Sequence, residues 1–583
     1  MADREKIQDV HALRRETYEE WQEWLREAED DYKVHLGNQW DASTAAKLRK
    51  QNRPVLSLNT TKNHVDLITG YEKQNRSDMR IYPVEDSDQE LADLYTEVIK
   101  WLMVERGNEY AVSLAFENAA ICGLGWIHPR VVYDEDFIDG DIVLDSESPF
   151  RIMPDPDFTK LDLSDCGFIF RHAYISKHAA GSLYPEFARE LKKLSGGSVD
   201  QFYIQQPSGK SKSHISIIEK WYREYEKQTL IIDMASRNVD IFDGTKKELA
   251  RIKKIIKMVQ ETEEVHPDYE DFRYLEIIER RLPRIKLLTV AENDLVLYDD
   301  YHPQGVNKYP FIPIVGTYVP AFNDWTWKLQ GMVRSLKDSQ KEKNKRRSQI
   351  LGSVLKLTWS GYFYKAGSVK NPKDLEQSGE GKNIEVQDGY EYPQRIEMPQ
   401  MPSALIKLEE LHGADMKEIG LNPDLLGLMQ EASPAGITLQ LRQRQGLVRV
   451  QNIFDNLSFA KKQLGKYLIE LINTFSAEKI QRITGKQIPM NFEEVKESSR
   501  FDTIVDENVN SPTYRMANFM TVMQMIEAGF PISPEVAVKM SELPKEYKEM
   551  IVKGMAQFAQ NAGGGGAPPG EIPQGIPEGM PPA

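Results

Sequence analysis

From about Arg14 to Asp31 an acidic stretch carries Trp21, Trp24 and Leu25 at helical spacing, which predicts a helix with one apolar stripe to dock. Residues 55 to 320 alternate helical patterns, Asp88 to Arg106 and Glu109 to Cys122, with short strand-like runs such as Gly125 to Tyr133, Phe168 to Tyr174 and Ile285 to Val290. That alternation predicts an α+β body. After Trp325 and Trp327 the pattern changes. Leu329, Met332, Val333 and Leu336 open a helix with an ordinary apolar face, and Ile350, Leu351, Val354 and Leu355 resume it, but Lys337 to Gln349 holds no apolar residue. A helix that is polar all round is expected to cross solvent, to pair charges with neighbouring subunits, or to face a polyanion, rather than to be buried in its own subunit.

Beyond that helix, residues 358 to 402 read as a small β-rich insertion, with Thr358 to Tyr364 and Lys382 to Gln387 as strands among Gly and Pro. A second helix is expected from Ser403, a possible N-cap, to Ile419, stopped by Gly420. The breaker-rich segment Leu421 to Gly436 follows, and then one long helix from about Ile437 to Phe475, with Val450, Phe454, Leu457, Leu464, Leu468, Leu471 and Phe475 on one face. Phe501 to Arg515 reads as a strand and a turn, Met516 to Gln560 as helical and Met-rich, and Gly563 to Ala583 as a disordered Gly/Pro tail.

Composition narrows the classes. The 583 residues suffice for three or four units with their own cores, and 40% hydrophobic with 28% charged residues describes a soluble chain. No apolar run approaches a membrane span and the N-terminus does not resemble a signal peptide, so a cytoplasm-like compartment and no membrane partner are expected. Cys122 and Cys166 are read as core residues. The net charge of -15 suits solubility and argues against a tight grip on DNA; an acidic wall around a duplex would let it slide.

The search for catalytic chemistry finds no complete motif. Gly209, Lys210 and Ser211 match the end of a phosphate-binding loop, but Ile204 stands where the first glycine belongs. Gly123 and Gly125 lack the third glycine of a dinucleotide fingerprint, and a turn between a helix and a strand explains them better. Asp155, Asp157, Asp162 and Asp165 could hold Mg²⁺ or Ca²⁺, yet their spacing misses the calcium-loop pattern and Pro154 and Pro156 favour plain turns. No catalytic residue, metal ligand or cofactor is therefore expected.

The order of segments resembles the portal, or head-to-tail connector, proteins of tailed double-stranded DNA phages, particularly the large portals of short-tailed phages. The strings that carry it are GNQW at Gly37, RPVLSLN at Arg53, ITGYEKQNR at Ile68, the Asp155 to Asp165 loop, GMVRSLKDSQKEKNKRRSQ at Gly331, NPDLLG at Asn422, SPAGITLQLRQRQG at Ser433 and SPTYR at Ser511. The resemblance implies a dodecameric ring with a central channel at one capsid vertex. It implies an N-terminal acidic helical segment (1–36), a wing (37–328, with a long helix and return strands at 437–511), stem helices (329–357 and 403–420), a clip (358–402), a tunnel loop (421–436), a helical crown (512–562) and the tail (563–583). A crown this brief, without a helical barrel, would depart from the branch.

On the same basis, Gln430, Glu431, Ser433, Pro434 and Gly436 of the tunnel loop would face DNA. Arg334, Lys337, Lys341, Lys345, Arg346 and Arg347 would be stem cations that meet acids of a neighbouring subunit or phosphate. Tyr362, Tyr364, Lys365, Lys370, Lys373 and Lys382 of the clip would dock the terminase large subunit and then head-to-tail adaptor proteins. The implied partners also include major capsid and scaffolding proteins; the implied location is the virion, with assembly in the host cytoplasm. Two rival readings stay open, a packaging-associated ATPase or nuclease and a ring-forming adaptor that passes no DNA.

Overall fold

The computed structural model describes residues 2–83, 89–194, 213–234, 239–242, 244–261, 272–292, 295–358, 362–371, 373–376, 384–396, 450–486 and 501–506, with scattered single residues elsewhere. The chain divides into two compact units, Met1–Glu72 with Met79–Asp506, and Lys73–Asp78 with Glu507–Ala583. Most of the second unit lies outside the described residues, among them the Met-rich region, the expected crown and the Gly/Pro tail.

The first unit opens with helices α1 (Ala2–His35), α2 (Ala42–Lys50) and α3 (Thr60–Gln74), then strand β1 (Asp78–Pro83), α4 (Gln89–Val104) and α5 (Asn108–Cys122). Strands β2 (Leu124–Val132), β3 (Asp141–Glu147), β4 (Ile152–Pro154) and β5 (Phe168–Ser176) follow, then α6 (Lys177–Leu183), α7 (Ala188–Lys193), β6 (His214–Asp233), β7 (Val239–Ile241), α8 (Lys246–Glu261), β8 (Leu275–Ala291) and β9 (Leu295–Tyr301). Next come β10 (Ile312–Val315), β11 (Thr317–Tyr318), α9 (Trp325–Lys328), β12 (Leu329–Gln330), α10 (Met332–Thr358), β13 (Tyr362–Phe363), α11 (Lys373–Glu376) and β14 (Gln394–Arg395). After a stretch outside the described residues, α12 (Gln451–Ile472), α13 (Ala477–Thr484) and β15 (Phe501–Asp506) complete it.

The mixture is the expected α+β class. One antiparallel sheet runs β10-β2-β3 and a larger one β4-β5-β6-β8-β9, with β7 paired to β6. The long β6–β8 hairpin stays in register from Ile217 opposite Ala291 to Asp233 opposite Leu275. Strand β8 is therefore longer than the run Ile285 to Val290: its outer half, with Glu276, Glu279, Arg280 and Arg281, has no apolar alternation, and only its inner half reaches the core.

Among the described residues a small cluster gathers Ala180, Leu191, Ile215 and Ile217, and two larger cores divide the rest. In one, the apolar face of α12 (Leu457, Leu464, Leu468, Leu471) joins α4, α5 and β10. In the other, α1 lays its stripe on β2, β5, β6 and β8. That stripe begins earlier than Arg14, because Ile7 and Val10 are buried at the same helical spacing as Trp21 and Trp24. Trp21 stacks on Trp325 with ring centroids 4.1 Å apart, and the indole N–H groups of Trp21 and Trp24 donate to the carbonyls of Pro154 and Leu329, each at 3.0 Å. Both cysteines are buried in this second core.

The start of α10 is held by backbone contact. Gly123 ends α5 at φ +100°, and a Cβ on Gly125 would lie 1.8 Å from the carbonyl oxygen of Ala115. A Cβ on Gly331 would lie 2.2 Å from the carbonyl oxygen of Ile121. These glycines let α5 cross β2 and the root of α10 without side chains between them, which is the turn reading of Gly123 and Gly125.

Candidate functional site

At 1.5 Å per residue α10 is about 40 Å long, and its polar face is divided into two zones. In the first, the helix meets the acidic end of α1. Lys337 Nζ lies 2.7 Å from Asp31, 2.9 Å from Glu27 and 3.1 Å from Asp30. Arg334 reaches Asp31 at 2.9 Å, and Lys341 reaches Asp30 at 3.0 Å. The Asp31 side chain is fully buried and that of Lys337 is 8% exposed. Burial works against the charge on Lys337, but the three carboxylates outweigh it and raise its pKa above the ordinary lysine value. Burial likewise opposes ionisation of Asp30, whereas Lys341 and Lys337 draw its pKa down.

The second zone is a ladder of hydrogen bonds. Side chains four apart on α10 meet alternate residues of the extended segment 56–60. Gln340 Oε1 accepts from Thr60 N–H at 3.1 Å, Asn344 Oδ1 from Leu58 N–H at 2.9 Å and Ser348 Oγ from Leu56 N–H at 3.0 Å. Gln340 Nε2 also donates to the Leu58 carbonyl at 2.6 Å, and Asn344 Nδ2 to Gln39 Oε1. The geometry is commensurate: four helical residues rise about 6 Å and two extended residues about 6.6 Å. One step further Pro54 has no N–H to give, and the residue opposite is Gly352, which has no side chain; a Cβ added there would be 3.5 Å from Pro54 Cδ. Donors and acceptors end together, so the ladder has one register.

This corrects the expectation that Lys337 to Gln349 cannot be buried in its own subunit. Lys337, Gln340, Asn344 and Ser348 are all buried, and the acids that meet Arg334, Lys337 and Lys341 come from α1 of the same chain. Counting apolar residues alone missed a stripe at helical spacing whose members are polar but matched by partners. The available signal was the spacing of Gln340, Asn344 and Ser348.

The remaining stem cations lie elsewhere on the helix. Arg346 pairs with Glu342 at 2.6 Å and Lys345 lies 3.9 Å from the same carboxylate; Lys345 and Arg347 are exposed. Beyond α10, β13 and β14 form a short antiparallel ladder, Tyr362 opposite Arg395 and Phe363 opposite Gln394, and Val369 bridges Val386. Tyr362, Phe363, Tyr364, Tyr390 and Tyr392 are exposed. Lys365 pairs with Glu391 at 3.5 Å and Lys370 with Glu385 at 3.0 Å, and Lys373 is exposed at the start of α11. Lys382 lies outside the described residues, as do Gln430, Glu431, Ser433, Pro434 and Gly436, most of Ser403 to Ile419, the first part of the long helix (437–449), and Gly209, Lys210 and Ser211.

The Asp155 to Asp165 loop uses its carboxylates on its own backbone. Asp155 accepts from the N–H groups of Asp157 and Gly167, Asp162 from Ser164 N–H, and Asp165 from Thr159 and Lys160 N–H and the Thr159 hydroxyl. Turn chemistry accounts for these residues, and no group of three metal-ligating side chains occurs among the described residues. Burial pushes the Cys122 and Cys166 thiols up to about 12, which makes them inert. Sequence reasoning also missed a buried ionic network in which Arg171 bridges Glu147 at 2.6 Å and Glu219 at 2.8 Å. Burial opposes the charge on Glu147, but His128 and Arg171 bring its pKa down to about 2.

A helix whose buried side is spent on fixing its own position, with basic side chains beside it and a hairpin of exposed aromatics beyond it, has the chemistry of an assembly component. No helix among the described residues is long and apolar enough to cross a membrane. The family described as phage P22-like portal protein matches residues 12–580. A portal protein of Helicobacter pylori bacteriophage KHP30 is 23% identical over 219 residues, 37% of this chain. The match covers 34% of that protein, so the chain aligns with about a third of the relative's length. The chain belongs to the phage P22-like portal protein family.

Proposed function

We propose that this portal-family chain is one subunit of a dodecameric ring at a single capsid vertex, forming a channel through which double-stranded DNA is packaged, retained and ejected. The observation that carries the reading is the family match across residues 12–580, which includes the body, the long helix and the hairpin beyond it. In this reading α10 with residues 403–420 is the stem, residues 358–402 the clip, and the body around it the wing. The exposed Tyr362, Tyr364 and Lys373 suit a docking surface for the terminase large subunit and, later, for adaptor proteins. Capsid and scaffolding proteins would surround the ring in the virion, after assembly in the host cytoplasm.

The mechanism is passive. The ring supplies a channel and a docking face, and ATP hydrolysis belongs to a separate motor. Arg334, Lys337 and Lys341 are committed to acids of α1 in their own chain and Arg346 to Glu342, so the exposed cations of α10 that repeat from copy to copy are Lys345 and Arg347. Pro434 and Gly436 supply a bent tunnel loop that shifts as DNA passes; replacing Gly436 with a rigid residue should impair packaging or DNA retention. Negative-stain electron microscopy with mass measurement tests the whole reading. Rings of about twelve subunits with a hole wider than a duplex, about 20 Å, would support it. Failure to form rings even with scaffolding protein present would overturn it.

A further inference from the structure

Helix α8 stands on the outer part of the β6–β8 hairpin in a fixed orientation. Its start is set by a capping box, in which Glu248 accepts from the N–H and hydroxyl of Thr245 at 2.7 and 3.0 Å. Its inner side is set by the burial of Ile256 and Val259 and by the pairing of Lys253 with Glu279 of β8 at 3.6 Å. The opposite side carries Lys247, Arg251 and Lys254 at positions i, i+4 and i+7, within about 60° of arc. All three are exposed, and none forms an ion pair among the described residues. The one acid nearby, Glu248, is spent on the cap.

The complement lies on α1. Glu16, Glu20 and Glu23 follow the same i, i+4, i+7 spacing on its outer side, exposed and again without an ion pair among the described residues. The next member of that row, Glu27, meets Lys337 of α10 at 2.9 Å. The end of α1 therefore already shows how its acids are used, against a row of cations on a second helix, and the earlier part of the row has no such helix in its own chain. Arg15 and Arg26 lie along one margin of the row, not within it.

The arm that carries α8 also has little to hold it. Beyond Glu226 opposite Leu282 the hairpin continues to Asp233 opposite Leu275, accompanied by β7 and α8. Its buried apolar side chains among the described residues are Leu230, Ile256 and Val259, whereas Tyr225, Met234 and Tyr274 are more than half exposed. A ribbon with so small a core is marginal in water unless something packs on it.

We propose that the arm docks on a second copy of this chain, the Lys247, Arg251 and Lys254 face of α8 lying along the Glu16, Glu20 and Glu23 face of the neighbour's α1. The inference deepens the portal reading and rests on it for the ring. Because the two faces differ, the contact is head-to-tail, and each subunit offers one face to either neighbour, which is the arrangement a closed ring needs. Once docked, the pairs are covered by the two helices and are screened by salt much less than exposed charges are.

The test is a charge swap read by sedimentation velocity. Lys247→Glu, Arg251→Glu and Lys254→Glu together turn three attractions into repulsions and should weaken each contact between copies at least about a hundredfold, leaving single subunits where the parent forms rings. Glu16→Lys, Glu20→Lys and Glu23→Lys together should do the same. Both sets in one chain should restore rings, a result that a loss of folding cannot give. Glu20→Cys with Arg251→Cys, treated with a short bismaleimide, should yield a ladder of linked subunits on denaturing electrophoresis, and either cysteine alone should not; the native Cys122 and Cys166 are buried. Reversed chains that form rings like the parent, a combined chain that stays dispersed, or a cysteine pair that gives no ladder each overturn the inference and leave the portal reading standing. A parent that forms no ring even with scaffolding protein overturns the portal reading; a ladder from the cysteine pair would then keep this contact as one between copies in another assembly.

Discussion

Replacing Asn344 with Leu tests whether the ladder, rather than apolar burial, seats α10 on its own subunit. The substitution keeps the branched side-chain skeleton, with methyl groups in place of the amide, and would raise the apolar content of a site only 1% exposed, so a purely hydrophobic account predicts a gain in stability. The hydrogen bonds predict a loss. Leu58 N–H loses its acceptor at 2.9 Å, Gln39 Oε1 loses its donor, and Gln340 Nε2 keeps only the Leu58 carbonyl. Two orphaned groups at about 1 to 3 kcal/mol each, less about 1 kcal/mol regained by burying methyl groups, leave a net loss of about 3 kcal/mol. Urea unfolding of the unassembled subunit, followed by tryptophan fluorescence, measures that loss. Amide hydrogen exchange should locate it, with protection falling at Leu56, Leu58 and Thr60 and unchanged along β2. A variant as stable as the parent, with segment 56–60 still protected, would refute the reasoning.

The ionic zone and the core give three further expectations. Asp31→Asn should cost about 3 kcal/mol in the same urea assay, the low end for removing one member of a buried ion pair because Glu27 and Asp30 still hold Lys337; adding Lys337→Met should recover part of that loss. Gly125→Ala should cost more than about 3 kcal/mol or abolish soluble expression, since its Cβ would lie 1.8 Å from a backbone oxygen that cannot move without displacing α5. Glu147 has its folded pKa lowered from 4.5 to about 2, so its contribution is present above pH 4.5 and is lost as pH falls toward 2. About 2 kcal/mol of acid sensitivity should therefore vanish in Glu147→Gln when stability is compared between pH 6 and pH 3.

What was legible in the sequence followed from apolar periodicity. The stripe of Trp21, Trp24 and Leu25, the faces of α4 and α5, and the run Leu457, Leu464, Leu468 and Leu471 of α12 are buried where the 3.6-residue spacing places them. The same criterion failed where elements are held by polar groups. The outer half of the β6–β8 hairpin carries Glu224, Glu226, Lys227, Glu279, Arg280 and Arg281, so neither strand alternates there. In α10 the buried stripe is Lys337, Gln340, Asn344 and Ser348, and its partners are acids and main-chain amides about 280 to 310 positions earlier in the chain. A linear reading sees the donors and acceptors but not their pairing. Reading the polar residues for period, as the apolar ones were, would have marked the face as buried without identifying what covers it.

The division of α10 into a neutralised zone and a basic one has a consequence for assembly. In a ring of the kind proposed, symmetry repeats Lys345 and Arg347 at the same level in every copy, so their repulsion is multiplied by the number of subunits, while Lys337 adds nothing because Asp31, Glu27 and Asp30 neutralise it within its own chain. The Debye length is about 8 Å at 0.15 M ionic strength and about 30 Å at 0.01 M, so repulsion across a subunit's width is screened in the first case and felt in the second. Rings should therefore dissociate more readily as salt is lowered. Lys345→Gln with Arg347→Gln should flatten the salt dependence. Sedimentation velocity across salt reads both the parent and the variant. Rings equally stable at every salt concentration would mean that acids of the neighbouring copy already neutralise this face.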